Sequence, residues 1–224
     1  KFEIVINFII YTKMLKYFKS IITKIFQTGC TIPQSIAIIM DGNRRYAVKN
    51  KVEKIKGHED GLNKLLEVVQ WSIDLKIKEI TVFAFSVDNF NRPKNEFDAL
   101  MSLAQEKFTK LSEKNELFDQ YGIKVCIYGN LNMIDEKLRS SLKKMETDTI
   151  NNKVIKLNVC FAYNSTEEIS QAVHKYNTDN HSHLSIDKFE QHLYGGYNCK
   201  PDLLIRTSGE VRLSNFLLYQ TRFS

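Results

Sequence analysis

Proline and glycine are scarce, 3 and 9 among 224 residues, and nowhere do they gather into a linker. With no internal repeat either, one domain is the economical reading, and 224 residues suffice to bury a sizeable core. Cysteine is equally sparse. Cys30, Cys126, Cys160 and Cys199 lie far apart, so no pair has the close spacing of a zinc or redox motif. Cys126 and Cys160 fall within apolar runs, as core thiols do, and a reducing compartment is the simpler setting. A bilayer-spanning run is also missing: the longest apolar run near the N-terminus, Ile4 to Tyr11, is broken by Asn7 and is too short to cross a membrane. No small-residue cleavage pattern of the signal-peptide kind follows it. An aromatic platform interleaved with lysines is absent too, which argues against nucleic acid as the partner.

What the chain does contain is a globular balance, 43% hydrophobic and 26% charged, with a net charge of +6 at pH 7. That excess makes an anionic partner the expectation, and charge alone does not choose between a substrate, a nucleic acid and a membrane surface. The chain opens on Lys1, and Met14 offers a native start. From Met14 to Phe26, MLKYFKSIITKIF sets Leu15, Phe18, Ile22 and Ile25 on one helical face with Lys16, Lys19 and Lys24 between them. Such a basic amphipathic helix can lie on an anionic membrane or dock on the body of the protein.

From Ile36 onward short apolar runs alternate with longer amphipathic stretches. The runs are Ile36 to Met40, Ile80 to Phe85, Lys124 to Tyr128, Lys156 to Ala162 and Asp202 to Ile205. Helical patterns fall at Gly61 to Leu75, Lys94 to Tyr121, Asp135 to Ile150, Thr166 to Tyr176 and Ile186 to Leu193. Strands that are apolar throughout and separated by helices specify an α/β fold, a central parallel sheet flanked by helices. The most polar stretch, Asn177 to His183, reads as a surface loop with His181 and His183 solvated.

In open parallel sheets ligands collect beyond the C-terminal ends of the strands. The first run, SIAIIM, stops at Asp41-Gly42-Asn43-Arg44-Arg45, which puts a carboxylate at the strand tip, a glycine that admits close backbone approach, and two guanidinium groups beside it. Taken alone this could be ordinary turn chemistry. The other tips tilt the balance: Ser86 to Arg92 follows the second run, Gly129-Asn130 the third, Tyr163-Asn164-Ser165 the fourth, and Arg206 to Asn215 the fifth. Arg92, Arg206 and Arg212 thereby join Asp41 and Arg45 on one edge of the sheet. Convergent arginine, serine and asparagine suit bidentate gripping of phosphate oxygens, so a diphosphate site is expected, with a hard cation on the carboxylate.

These residues resemble a known family, the cis-prenyltransferases, and within it the eukaryotic dehydrodolichyl diphosphate synthase catalytic subunits. The resemblance rests on IAIIMDGNRRYA (Ile36 to Ala47), GHEDG (Gly57 to Gly61), VFAFSVDNFNRPKNE (Val82 to Glu96), NVCFAYNSTEEI (Asn158 to Ile169) and PDLLIRTSGEVRLSNFLLYQ (Pro201 to Gln220). It implies repeated condensation of isopentenyl diphosphate onto an allylic diphosphate such as farnesyl diphosphate, with a cis double bond made at each addition. The product would be a long-chain polyprenyl diphosphate, the dolichol precursor used in protein glycosylation, made at the cytoplasmic face of the endoplasmic reticulum membrane. A non-catalytic partner subunit is the alternative, although such subunits usually lack the Asp-Gly-Asn motif and the paired arginines seen here.

Carried across by motif, the resemblance makes Asp41 the acid that handles Mg²⁺ and diphosphate. Gly42, Asn43, Arg44 and Arg45 become the loop over the allylic diphosphate, with Tyr46 beside it. Lys54, in place of a usual arginine, and His58 become further substrate contacts, although His58 could instead be a packed histidine at a helix start. Ser86, Asn89, Phe90 and Arg92 match a flexible loop whose asparagine is assigned to proton removal; since an amide is a poor base, Asn89 is read here as positioning substrate while a diphosphate oxygen takes the proton. Arg206, Arg212 and Ser214 match the isopentenyl diphosphate site. Glu96 is read only as support for a helix N-terminus. Phe83, Phe85, Phe97, Leu100, Met101 and Leu103 are read as core, near where the family stores its growing chain in an apolar tunnel.

The resemblance divides the chain into an N-terminal basic amphipathic segment, 1–30, and a catalytic domain, 31–224. Family members continue past the stretch that ends here at Ser224 with a further strand and helices, so the domain is expected to be C-terminally incomplete, to express poorly and to be inactive alone. Ser35 stands where a histidine is common, a minor departure. The resemblance also implies peripheral membrane contact and either a homodimer or a heteromer with a Nogo-B-receptor-like subunit whose C-terminal tail completes the site.

Overall fold

The computed structural model describes residues 24, 28–29, 31–113, 116–178, 185–196, 199–222 and 224. The amphipathic segment Met14 to Phe26, apart from Lys24, lies outside these residues, as do Cys30, His181 and His183. Among the described residues, β1 (Ser35–Ile39), β2 (Glu79–Ser86), β3 (Ile123–Tyr128), β4 (Ile155–Tyr163) and β5 (Leu203–Arg206) form one sheet in the order β3-β4-β2-β1-β5. Every pairing is parallel, with Ile38 opposite both Val82 and Ile205, and Val159 opposite both Val82 and Ile127. The helices are α1 (Asn43–Asn50), α2 (Lys54–Asp74), α3 (Lys94–Glu113), α4 (Glu116–Tyr121), α5 (Glu136–Asp148), α6 (Ser165–Thr178) and α7 (Ile186–His192).

The inner strands are largely apolar because both faces are covered, whereas the edge strand β5 leaves Leu203 and Ile205 exposed. In β1 every residue is buried, and the period of two sends Ile36 and Ile38 into one cluster with Leu65 and Val69 of α2 and Leu138 and Leu142 of α5. Ala37 and Ile39 face the other way, onto Cys160, Tyr163, Phe216 and Leu217. Phe216 stacks on Phe83 with ring centroids 4.7 Å apart and is fully buried, so its removal to alanine is worth about 3–5 kcal/mol. Cys160 and Cys199 are buried free thiols, and Cys126 is half-buried. Burial raises the pKa of all three, which keeps them protonated and unreactive.

Two differences from the sequence expectation bear on function. Of Gly42 to Arg45, expected as a loop with Tyr46 beside it, Asn43 onward is the first turn of α1, because Gly42 takes a left-handed conformation (φ 102°) that turns β1 directly into a helix. A side chain at position 42 would collide with the Ser208 hydroxyl, leaving no residue but glycine room for that turn. The helix expected from Gly61 instead starts at Lys54, so Gly57 and His58 lie within it.

Candidate active site

Three of the five strand tips, those of β2, β1 and β5, are neighbours running from the middle of the sheet to its β5 edge, and the space beyond them is a cavity of about 620 Å³. Asp41, Gly42, Asn43, Arg44 and Arg45 line it from the β1 tip, Ser86, Asn89 and Arg92 from the β2 tip, and Arg206, Arg212 and Ser214 from the β5 tip. His58 reaches it from α2. Phe83, Ala84, Phe85 and Leu100 give it an apolar side. The β2–β4 register skips Ala84 and shifts again between Phe85 and Ser86, an irregularity of the bulge kind at the strand end beside the cavity.

Asp41 is fixed from several directions. Its backbone N–H donates to Thr207 Oγ1 (2.9 Å), whose hydroxyl donates to the Asp41 carbonyl (2.6 Å), which clamps the β1 tip to the β5 tip. The Gly42 N–H donates to Asp41 Oδ1 (2.6 Å) and Arg206 Nη2 to Oδ2 (2.8 Å). Burial pushes the Asp41 carboxyl up, but the hydrogen bonds from Arg206 and Gly42 and the charges of Arg206 and Arg45 outweigh it and hold it below its ordinary value, ionised. Arg206 also donates from Nη1 to Ser214 Oγ (2.8 Å) and to the Arg212 carbonyl, so one guanidinium fixes the β1 tip and the β5 loop together.

The second cationic cluster gathers around Glu96. Arg44 Nη2 and Arg92 Nη1 each lie 2.7 Å from Glu96 Oε1, and Lys54 Nζ lies 3.9 Å from Oε2. Burial raises the Glu96 pKa, and the charges of Arg44 and Arg92 with the Arg92 hydrogen bond more than reverse it. Glu96 does stand in the first turn of α3, as its helix-supporting reading required. It also holds two arginines that face the cavity, which its position in the sequence did not reveal. Glu210, likewise unnoticed, lies on the cavity wall 3.3 Å from Arg45 and pairs with Arg212.

Three features invite an anion. The first turn of α1 carries Arg44 and Arg45, no acid and no side-chain cap, a charge placement that opposes the helix dipole unless a negative ligand sits there. His58 Nδ1 lies 3.3 Å from the Asn43 amide nitrogen. With that amide donating, the ring proton is on Nε2, which is buried without a protein partner. Burial, with the charges of Arg92 and Arg44, pushes the His58 pKa down and leaves a neutral donor. Arg206 Nε is a second buried donor without a partner.

The segment after β2 is a 3₁₀ turn, Val87–Asn91, closed by a capping box in which Ser86 Oγ accepts the Asp88 N–H (3.1 Å) and Asn89 Oδ1 accepts the Ser86 N–H (3.1 Å). The carboxamide oxygen is therefore committed to the backbone, and the amide nitrogen is what Asn89 has left to present. Phe90 turns away from the cavity and packs between Phe85 and Phe97, with ring centroids 5.4 and 5.3 Å away. Lys54 does not line the cavity, and neither does Tyr46, whose ring is exposed and borders a separate groove with Met40, Leu65 and Val68. Of the apolar set read as core, Phe83, Phe85 and Leu100 face the cavity, while Phe97 and Met101 pack against the core.

The tips of β3 and β4 stay out of the cavity. The β4 end instead braces the β5 loop: Ser165 N–H donates to the Asn215 carbonyl (2.8 Å), Thr166 N–H to Asn215 Oδ1 (3.2 Å) and Leu218 N–H to Ser165 Oγ (2.9 Å). Ser214, Asn215 and Leu217 all take positive φ, a conformation that persists only where surroundings enforce it. The buried Glu168, accepting from Tyr163 Oη (2.6 Å) and Gln220 Nε2 (2.9 Å), supplies part of that enforcement.

Residues 39–224 match the family model described as putative undecaprenyl diphosphate synthase. The chain belongs to that family, the cis-prenyltransferases. A dehydrodolichyl diphosphate synthase complex subunit of Homo sapiens is 44% identical over an alignment of 199 residues that covers 86% of this chain and 60% of that protein. An isoprenyl transferase of Fusobacterium nucleatum is 40% identical over 193 residues, covering 86% of this chain and 82% of the relative. Lavandulyl diphosphate synthase from Lavandula x intermedia, solved in complex with dimethylallyl diphosphate, superposes with a TM-score of 0.78 at 31% identity over 84% of this chain and 83% of that one. The chain thus spans about 60% of the length of the mammalian relatives it matches. Its parallel sheet with flanking helices is the cis-prenyltransferase fold that the motifs implied.

The ionised carboxylate of Asp41, on a cavity rimmed by arginine, fits Mg²⁺, which keeps few protein ligands and completes its shell with water and phosphate oxygens. Among the described residues no group of three or more His, Cys, Asp and Glu could hold a metal ion, and Asp41 is the residue that would hold Mg²⁺ in this cavity.

Proposed function

We propose that this chain condenses isopentenyl diphosphate with an allylic diphosphate, farnesyl diphosphate being the expected primer, to extend a cis-polyprenyl diphosphate, and that its product is the dehydrodolichyl diphosphate used for dolichol. The observation that carries the proposal is that five arginines and Asp41, from three separate parts of the sequence, line one cavity whose other side is apolar. Diphosphates bring the charge for the first surface and a prenyl chain needs the second.

When the allylic carbon–oxygen bond breaks, its electron pair leaves with pyrophosphate, and the isopentenyl double bond closes on the allylic carbon. Arg44, Arg45 and the first turn of α1 then face the growing charge of the leaving group, with His58 Nε2 as a further donor. Arg206, Arg212 and Ser214 would hold the diphosphate of isopentenyl diphosphate. Mg²⁺ at Asp41 would supply electrostatic stabilisation of the leaving diphosphate. Asn89, with only its amide nitrogen to offer, orients substrate, and the proton lost after condensation goes to a diphosphate oxygen. Phe83, Phe85 and Leu100 exclude water around the allylic carbon and start the path for the lengthening chain.

We place this activity at the endoplasmic reticulum membrane through peripheral contact. The human relative is named a complex subunit, which supports a heteromer with a Nogo-B-receptor-like partner over a homodimer. Among the described residues no helix is long and apolar enough to cross a membrane. Incubation with farnesyl diphosphate, labelled isopentenyl diphosphate and Mg²⁺, with and without a candidate partner, tests the proposal. Extended cis-polyprenyl products lost in Asp41→Ala support it. Absence of product under every pairing, with substrates still bound, would assign the chain a non-catalytic role.

A further inference from the structure

We propose that the corner made by α1 and the turn into α2 is a docking surface for an anionic lipid membrane, separate from the N-terminal segment. α1 rests on the body of the protein through Asn43 and Ala47: every other residue from Arg44 to Lys54 is exposed. That surface carries apolar side chains the fold leaves unburied, Val48 at 74%, Tyr46 at 47% and Val52 at 40% exposure. It is also strongly basic, with Arg44, Arg45, Lys49, Lys51, Lys54 and Lys56 against the single acid Glu53 over residues 44–56. The arginines, Lys54 and Lys56 are engaged by carboxylates, whereas Lys49 and Lys51 pair with none among the described residues. Exposed valine and tyrosine beside unpaired lysine suit an interface where lysine meets anionic headgroups and apolar tips enter the acyl boundary.

Lys51 adds an independent sign. It closes α1 in the left-handed conformation (φ 55°, ψ 38°), its N–H donating to the Val48 carbonyl at 3.2 Å. That position favours glycine, and the exposed lysine head pairs with no carboxylate among the described residues, as suits a side chain that meets a lipid surface.

The same helix starts at the cavity with Asn43 and Arg44, and its eight residues span about 12 Å at 1.5 Å per residue. Docking through Val48 and Lys51 would therefore hold the cavity within reach of the lipid that must receive a polyprenyl product. In that sense the inference rests on the proposed function, although the binding itself does not require turnover.

The test is co-sedimentation of the full chain, without substrate, on vesicles of phosphatidylcholine with phosphatidylserine and on phosphatidylcholine alone. Binding should need the anionic lipid, fall about 30-fold or more in Lys49→Glu/Lys51→Glu, and fall about tenfold in Val48→Asp. Lys51→Gly should bind less while melting at a higher temperature, which separates lipid contact from folding. Native partition retained by all three variants would overturn the proposal. So would lysine variants that lose vesicles and RNA in equal proportion while Val48→Asp binds vesicles normally, because the surface would then be a polyelectrolyte site for nucleic acid.

Discussion

Arg206, the last residue of β5, donates to Asp41, just past the end of β1, at 2.8 Å across 165 residues of chain. The same guanidinium reaches Ser214 and the Arg212 carbonyl, so the geometry of the anion site depends on a planar fork that serves three partners at once. Lysine keeps the charge and loses the fork. Arg206→Lys should lower kcat/KM about 10²-fold or more with KM for isopentenyl diphosphate raised, measured by steady-state condensation assays. A variant with native kinetics would show that charge alone suffices.

Asn43 is wedged against the α2 face that carries Gly57 and Gly61. A Cβ at position 57 would lie 2.4 Å from the Asn43 carbonyl oxygen, and one at 61 would lie 2.6 Å from its side-chain oxygen. Glycine to alanine inside a helix ordinarily stabilises by up to about 1 kcal/mol. Here Gly57→Ala should instead destabilise by about 1–3 kcal/mol, since a backbone must give way. Gly61→Ala should keep its stability, because an amide side chain can swing aside, and lose activity as Asn43 leaves His58. Urea melts and turnover measured on both variants check the contrast.

Asn89 gives its oxygen to the Ser86 N–H. Aspartate can make that same capping bond and cannot donate to a ligand. Asn89→Asp should therefore melt like the native protein and be as inactive as Asn89→Ala. Asn89→Asp activity above native would instead indicate that a base is wanted at this position.

Asp41, Glu96 and His58 all have pKa values below their ordinary 3.8, 4.5 and 6.5. Each therefore binds a proton more readily in the unfolded chain, so each makes stability rise with pH. The carboxylates contribute stability that is complete above their unfolded values and lost as pH falls through the folded ones. The His58 contribution begins to fall away as pH drops below about 6.5. His58→Asn should flatten the stability profile below about pH 6.5, and Glu96→Gln the portion below about 4.5, measured by denaturation across pH.

By itself the sequence was enough to establish the five strands and the parallel sheet, because a strand buried on both faces must be apolar throughout. Ile36 to Met40 is wholly of that kind, Ile80 to Phe85 is so apart from Thr81, and Lys156 to Ala162 apart from Lys156 and Asn158. It also established which residue types stand at each tip, and the family. Helix α1 escaped notice because its one buried residue, Ala47, leaves no apolar periodicity to read. Glu96 and Glu210 escaped because a carboxylate's value depends on which arginines surround it: Arg92 is four residues from Glu96, but Arg44 meets Glu96 only after β1 and β2 pair. Every tip is polar in the sequence, yet strand order puts those of β1, β2 and β5 around the cavity and leaves β4 to brace the loop behind it. Local pattern fixes an element because it reports what that element buries; the site lay beyond it, since adjacency of distant tips is a property of the assembled sheet.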